Sequence, residues 1–163
     1  MEKKRSKKKE KKDLFRIASM FVMILLLPLL LTLMYEGYKQ VIIPFLHPIS
    51  IKEQKIFIMI IFGIPLSLII AYGYITKEKI TSTLSGFFLN LLSYFYSDIL
   101  FGGLFDPYFV TRWLRWTYIL DFIPVMLICG LAGYFASRGT KVSLLIAIIF
   151  GVLFIFIMQG VGR

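Results

Sequence analysis

Apolar positions fall into five long runs separated by short polar breaks. A membrane-crossing helix needs about 20 mostly apolar residues. The runs cover roughly residues 14–34, 56–75, 80–105, 117–136 and 142–158. Together they take up roughly 100 residues and leave little chain for a water-soluble domain. The pattern predicts an all-α fold: a polytopic transmembrane helical bundle of five spans. It is a single transmembrane domain over 14–163, preceded by a disordered cytoplasmic tail at 1–13. The first run exceeds the hydrophobic region of a signal peptide, and no small-residue cleavage site follows it, so it is expected to stay as a span. Pro28, Pro65 and Pro124 lie inside runs and predict kinks, because each removes a backbone donor and crowds the carbonyl four residues earlier. No fixed-period repeat is seen, so the inverted-repeat pattern of many transporters is absent.

Composition supports this pattern. The chain has 163 residues, 58% hydrophobic and 17% charged. A soluble domain averages about 45–50% apolar and about 25% charged residues. An ordinary soluble domain and a disordered chain are therefore excluded. A disulfide scaffold is excluded as well, since Cys129 is the sole cysteine.

Charge adds direction. Of the 19 Lys and Arg residues, nine fall in 1–16: Lys3, Lys4, Arg5, Lys7, Lys8, Lys9, Lys11, Lys12 and Arg16. Only Glu2, Glu10 and Asp13 oppose them, so this segment carries +6 of the net +10. Cationic flanks stay in the cytoplasm during insertion. Five spans then place the N-terminus in the cytoplasm and the C-terminus outside, in the cell membrane. The cytoplasmic loops would carry Lys77, Lys79, Arg138 and Lys141. The external loops would carry Lys39, Lys52, Lys55, Arg112 and Arg115. The basic segment is also a candidate contact for anionic lipid headgroups, at about 1 kcal/mol per cation near such a surface. Nucleic acid is not an expected partner, because no aromatic residues interleave the lysines to stack on bases.

The third run holds a polar stripe. Thr83, Gly86, Asn90, Ser93 and Ser97 occupy an arc of about 80° on a helix. Lipid cannot satisfy these groups, so the stripe should face other helices. It reads first as packing, with small residues allowing close approach and polar ones bonding across. The other reading is the lining of a small polar pathway. The fourth run offers Cys129, Ala132, Gly133 and Ala136 as a small-residue face, a further packing signal.

A charged cluster is expected at the external face. Asp98 and Asp121 both fall near that interface, Asp121 in the first turn of the fourth helix. Between the third and fourth spans, Asp106-Pro107 reads as an N-cap with proline at the first helical position. Phe109, Val110, Trp113 and Leu114 share one face of 107–116, opposite Thr111, Arg112 and Arg115. That predicts a short interfacial amphipathic helix. Its Arg112 and Arg115 would lie near Asp98, Asp106 and Asp121, as locking ion pairs or as an external site for an anionic headgroup or peptide. The segment from Tyr35 to Lys55 is expected to be an external loop hugging the interface.

Catalytic chemistry is hard to find. The sequence has no H-E-x-x-H, no G-x-S-x-G and no P-loop. The lone His47 has no partner ligands for a metal. No cofactor, metal or enzymatic activity is expected. The Lys-, Ile- and Phe-rich composition and basic N-terminus resemble those of small multi-pass membrane proteins of Bacillus-like bacteria. The resemblance is one of style across the whole chain, and it carries no functional residue over. The first expectation is a small non-enzymatic accessory, regulatory or immunity-type subunit, packing against a larger membrane protein or a second copy of itself. The alternative is a small oligomeric transporter or channel with a polar path along the third span.

Overall fold

The computed structural model describes residues 13–42, 44, 51–102 and 116–161; for 51, 52, 116–119, 121 and 159–161 it describes the backbone alone. Among these residues the chain is helical throughout, apart from tight turns. We number five helices: α1 (Asp13–Ile42), α2 (Ile51–Thr76), α3 (Lys79–Leu100), α4 (Trp116–Ser137) and α5 (Lys141–Val161). Three contain stretches long and apolar enough to cross a membrane: Asp13–Ile42, Glu53–Thr76 and Lys141–Met158. Phe122–Ser137 of α4 is a shorter apolar stretch.

Two boundaries differ from those expected. Residues 35–42 and 51–55 are helical, so most of the expected external loop belongs to α1 and α2. The physical reason is burial: Glu36 and Tyr38, polar enough to read as loop, are turned inward and covered. The third span ends at Leu100, short of residue 105. The Ser97 carbonyl there accepts from the N–H groups of both Phe101 (2.9 Å) and Gly102 (3.2 Å), which closes the helix.

Proline shapes α1 locally. The turn Val22–Leu26 is π-helical, and the Leu27 N–H bonds the Val22 carbonyl five residues back. Pro28 stands two residues beyond it, after Leu27. A widened turn relieves the clash of a proline ring with the preceding carbonyls, and Pro28 has no N–H to lose. Pro65 and Pro124 sit inside α2 and α4, which continue past them as α-helix.

The outer surface is apolar, with Phe15, Phe21, Ile60, Leu145, Ile149 and Phe156 all exposed. The core combines Leu31, Phe62, Leu66, Ile69, Leu89 and Phe154 with small residues. Phe62 meets Phe154 edge-on at 6.0 Å, and Phe135 stacks on Phe150 at 5.9 Å. This is the arrangement expected where the solvent is hydrocarbon: polar and small side chains gather inside, and Ile, Leu and Phe face out.

The α3 and α4 backbones touch. A Cβ placed on Gly86 would lie 2.1 Å from the Cys129 carbonyl oxygen, and one on Gly133 would lie 2.2 Å from that of Ser82. Cys129, Ala132 and Ala136 are fully buried in the same seam. The small-residue face of the fourth run is therefore spent inside the chain, on α3, and is closed to an outside helix.

Two tight turns and the start of α1 share one end of the bundle. Between α2 and α3, Lys77 takes a left-handed conformation (φ 56°), and its N–H bonds the Gly73 carbonyl at 2.9 Å. Between α4 and α5, Gly139 (φ 69°) makes the equivalent turn. A reciprocal cap follows: Ser143 N–H donates to Thr140 Oγ1, and Thr140 N–H donates to Ser143 Oγ, both at 3.2 Å. The two turns adjoin, since a Cβ on Gly139 would meet the Lys77 side chain. Arg16 of α1 reaches the same place and pairs with Glu78 at 3.6 Å. Tyr72 and Thr81 also donate to Glu78, at 3.3 and 3.0 Å, and Ser19 lies 2.9 Å from the Tyr72 hydroxyl.

Candidate functional site

The sequence-predicted stripe on α3 comes inward in part. Gly86, Asn90 and Ser93 are buried, whereas Thr83 and Ser97 are half-buried. The inward face also includes Thr81, Ser82 and Ser85, which the stripe did not contain. Most of these groups are satisfied locally. Ser85 donates to the Thr81 carbonyl at 2.7 Å, and Ser82 donates across the seam to the Gly133 carbonyl at 2.9 Å. Asn90 is the exception. Its amide reaches Cys129 Sγ at 3.8 Å, and its Oδ1 is buried without a hydrogen-bond partner among the described residues. The Tyr38 hydroxyl shares that condition, while its ring stacks on Phe57 at 5.4 Å.

Towards the far end, α1 and α3 run parallel and meet through a matched ladder. Thr32 Oγ1 donates to the Ser93 carbonyl at 2.8 Å and lies 3.2 Å from Ser93 Oγ. One turn on, Ser97 Oγ donates to Glu36 Oε1 at 2.7 Å. That is the short range of a hydroxyl bonded to a carboxylate. Gln40 Nε2 approaches the other oxygen, Oε2, at 3.4 Å. Glu36 is only 4% exposed. Among the described residues no Lys or Arg forms an ion pair with it. A cavity of about 20 Å³ lies beside the ladder, lined by Thr32, Tyr35, Phe62, Ser93, Tyr94 and Ser97. That is room for one water-sized species.

Sequence reasoning missed Glu36. It follows the apolar run directly and reads as the start of a loop. The signal that identifies it is a coincidence of spacing: Thr32 and Glu36 are four apart, as are Ser93 and Ser97. Matched i, i+4 pairs on two helices can bond rung by rung. Glu78 was missed in the same way, as a turn residue.

The expected external charged cluster is only partly visible. Asp106, Arg112 and Arg115, with the amphipathic segment that carries them, lie outside the described residues. Asp98 is half-buried near the end of α3. Asp121 lies on α4, but not in its first turn, because the helix is already formed at Trp116. Of the basic segment, Arg16 is described and pairs with Glu78. Lys3, Lys4, Arg5, Lys7, Lys8, Lys9, Lys11 and Lys12 lie outside the described residues. Among the described residues no three His, Cys, Asp or Glu side chains converge on a point.

Among the described residues the polar groups fall into two separate sets. Asn90, Ser93, Thr32, Ser97 and Glu36 form one group, and Ser82, Ser85, Thr81 and Glu78 form another. Between them stands the backbone contact of Gly86 on Cys129, with Leu89 fully buried beside it. Beside the first group lies the small cavity, where the hydroxyls of Thr32, Ser93 and Ser97 meet the rings of Tyr35, Phe62 and Tyr94, and Glu36 is bonded to Ser97 next to it. No family model, curated protein or solved structure matches the chain.

Proposed function

We propose that the chain is a multi-pass protein of the cell membrane that works by lateral helix–helix association, as a small non-enzymatic accessory, regulatory or immunity-type subunit. In this reading all five helices span the bilayer, with the N-terminus cytoplasmic and the C-terminus external. Arg16, Lys77 and Arg138 gather at one end of the bundle, as a cytoplasmic face requires. The basic segment before α1 then lies against anionic headgroups.

The observation that carries the association reading is on α2. Gly63, Ser67 and Ala71 form a small-xxx-small stripe on the surface. It borders an apolar groove of about 450 Å³ between α2 and α5, floored by Leu66 and Gly151. Small residues at this spacing let a second helix approach closely. Such a stripe is its own complement across a two-fold axis, so the fitting occupant is α2 of a second copy. A stripe of small residues on a larger membrane protein is the other occupant the test can return. The test is cysteine crosslinking in native membranes. Ser67→Cys in a Cys129→Ser background should give a discrete dimer, and Ile149→Cys on α5 should not. Gly63→Leu should abolish the Ser67→Cys product. Monomer alone from Ser67→Cys at endogenous expression overturns the reading.

The polar set around Glu36 favours a second reading, a small oligomeric transporter or channel with its polar path along α3. The observation behind it is the buried Glu36 carboxylate at the head of Ser97, Ser93 and Asn90. Flux through reconstituted vesicles that Glu36→Gln abolishes would support it. Equal flux in that variant would remove that set from any pathway.

A further inference from the structure

We infer that the groove between α2 and α5 holds one anionic phospholipid, with an acyl chain along the groove and the headgroup on Lys77 and Lys141. The case begins with shape. The groove is apolar and measures about 450 Å³. Its α2 wall runs from Gly63 through Ile70 to Tyr74, and its α5 wall from Ile155 through Ile148 to Leu144. A Cβ on Gly63 would meet Ile155 Cδ1 at 3.6 Å, so the walls converge at that inner end. From Gly63 to Tyr74 the helix rises about 17 Å, at about 1.5 Å per residue. One leaflet of hydrocarbon is about 15 Å deep, half of a core of about 30 Å. The groove therefore has the length of one acyl chain.

Both walls lead to a lysine. Along α5, Lys141, Leu144, Ile148 and Ile155 follow at i, i+3, i+7 and i+14, which is one face of a helix. Lys141 is exposed and opens α5, where the helix dipole adds positive potential. Lys77 comes three residues after Tyr74, in the turn that ends α2. Its stem lies on Gly139, where an added Cβ would come 2.8 Å from Lys77 Cε. That carries the Lys77 side chain across to the turn that leads into α5, two residues before Lys141. Lys77 also holds a left-handed backbone (φ 56°) that suits glycine or asparagine better. A ligand for its ammonium gives the lysine a reason to stand there.

The charge at this end favours an anion. Glu78, the acid of the α2–α3 turn, is engaged by Arg16, Tyr72 and Thr81. Residues 1–12, which lead into α1 here, bring eight cations against Glu2 and Glu10, so they add positive charge. The α3–α4 connection, with Asp106, leaves α3 at the opposite end. An apolar trough with a positive mouth selects an amphiphile with a negative head. Lysine binds phosphate as a point charge, and its long stem lets the ammonium reach the headgroup layer. A soluble anion would leave the trough empty, and a neutral lipid would leave the lysines unmatched.

The lipid leaves the other flank of α2 open to a second copy, since Gly63, Ser67 and Ala71 also border a hollow beside Ile60, Ile64 and Leu68. The inference rests on the membrane reading above and not on self-association. Monomer alone in the crosslinking leaves lipid binding standing, and lost lipid binding leaves the dimer standing. The experiment uses the full chain purified in a mild detergent. Dioleoyl phosphatidylglycerol and dioleoyl phosphatidylcholine, alike in chains and different in head charge, are titrated in, and bound lipid is counted by native mass spectrometry. One phosphatidylglycerol per chain is expected, bound about thirtyfold more tightly than phosphatidylcholine, from two cations at about 1 kcal/mol each. Lys77→Gln and Lys141→Gln should each lower that preference about fivefold, the share of one cation. Lys79→Gln, at an exposed lysine outside the groove, should leave it unchanged. Ile148→Trp fills the trough and should lose both lipids. All four side chains are exposed, and melting in lipid-free detergent checks that each variant folds. Wild-type protein without a preference for phosphatidylglycerol overturns the inference. So does an equal drop in Lys79→Gln, which assigns the preference to the general charge of that end. Unchanged binding in Ile148→Trp overturns it as well.

Discussion

Glu36 of α1 and Ser97 of α3 are 61 residues apart in sequence, yet their side-chain oxygens are 2.7 Å apart. Thr32 and Ser93 repeat the same separation one turn away. The two parallel helices are thus held in register by polar rungs inside the bundle. Interhelical hydrogen bonds in membrane proteins average about 0.6 kcal/mol, with a maximum near 1.7 kcal/mol. The carboxylate acceptor and short distance put the Glu36–Ser97 rung at the upper end of that range. Ser97→Ala should destabilise the fold by about 1–2 kcal/mol. A double-mutant cycle with Glu36→Gln, read by reversible unfolding in mixed micelles, should return most of that as coupling energy. Additive effects would mean that the rung contributes nothing.

The seam between α3 and α4 predicts a contrast between neighbouring glycines. Gly86→Ala drives a methyl into a backbone carbonyl, which cannot rotate away as a side chain can. Overpacking of this kind costs about 1–3 kcal/mol. Gly133→Ala should behave the same way. Gly130→Ala should be tolerated, because its added Cβ meets its nearest neighbour, Phe87, at an ordinary 3.5 Å. Thermal unfolding of the three variants side by side checks the contrast. Equal tolerance of all three would show that the helices do not touch as described.

Asn90 invites the opposite substitution. Its Oδ1 is buried and unpartnered among the described residues, and its amide has only a weak sulfur acceptor. Replacing a poorly satisfied polar group by an apolar one of similar shape is close to neutral or stabilising. Asn90→Leu should therefore keep or raise the melting temperature. A large drop would reveal a polar partner that Asn90 needs.

Topology can be tested at the two tight turns. Lys77→Cys and Thr140→Cys, each in a Cys129→Ser background, should react with a membrane-impermeant maleimide from the cytoplasmic side only. The turns adjoin, so the two positions must label from the same side. Opposite sidedness would break the five-span arrangement.

The helical class was legible in the apolar runs, because run length alone separates a helix of crossing length from anything else. The ends were less legible. The α1 helix continues to Ile42 because Glu36 finds Ser97, and no local rule reports a partner 61 residues away. The α3 stripe was legible at Gly86, Asn90 and Ser93, where residue size and polarity coincide. Ser82 and Ser85 were missed because the seam with α4 rotates the inward face of α3 towards them. The small face of α4 was legible as a contact, but not as a contact already filled. The open small-residue stripe is on α2, where Gly63, Ser67 and Ala71 are scattered among larger apolar residues.

The parallel ladder between α1 and α3 also sets a timetable for biogenesis. Thr32 and Glu36 leave the ribosome 61 residues before Ser93 and Ser97. At synthesis rates of about 5–20 residues per second, that interval is about 3–12 s. During it, α1 sits in the membrane with its carboxylate unmatched, and α2, which comes next, brings no rung of this ladder. Until α3 has been made, the Glu36 carboxylate lacks the hydroxyl that it meets in the folded chain.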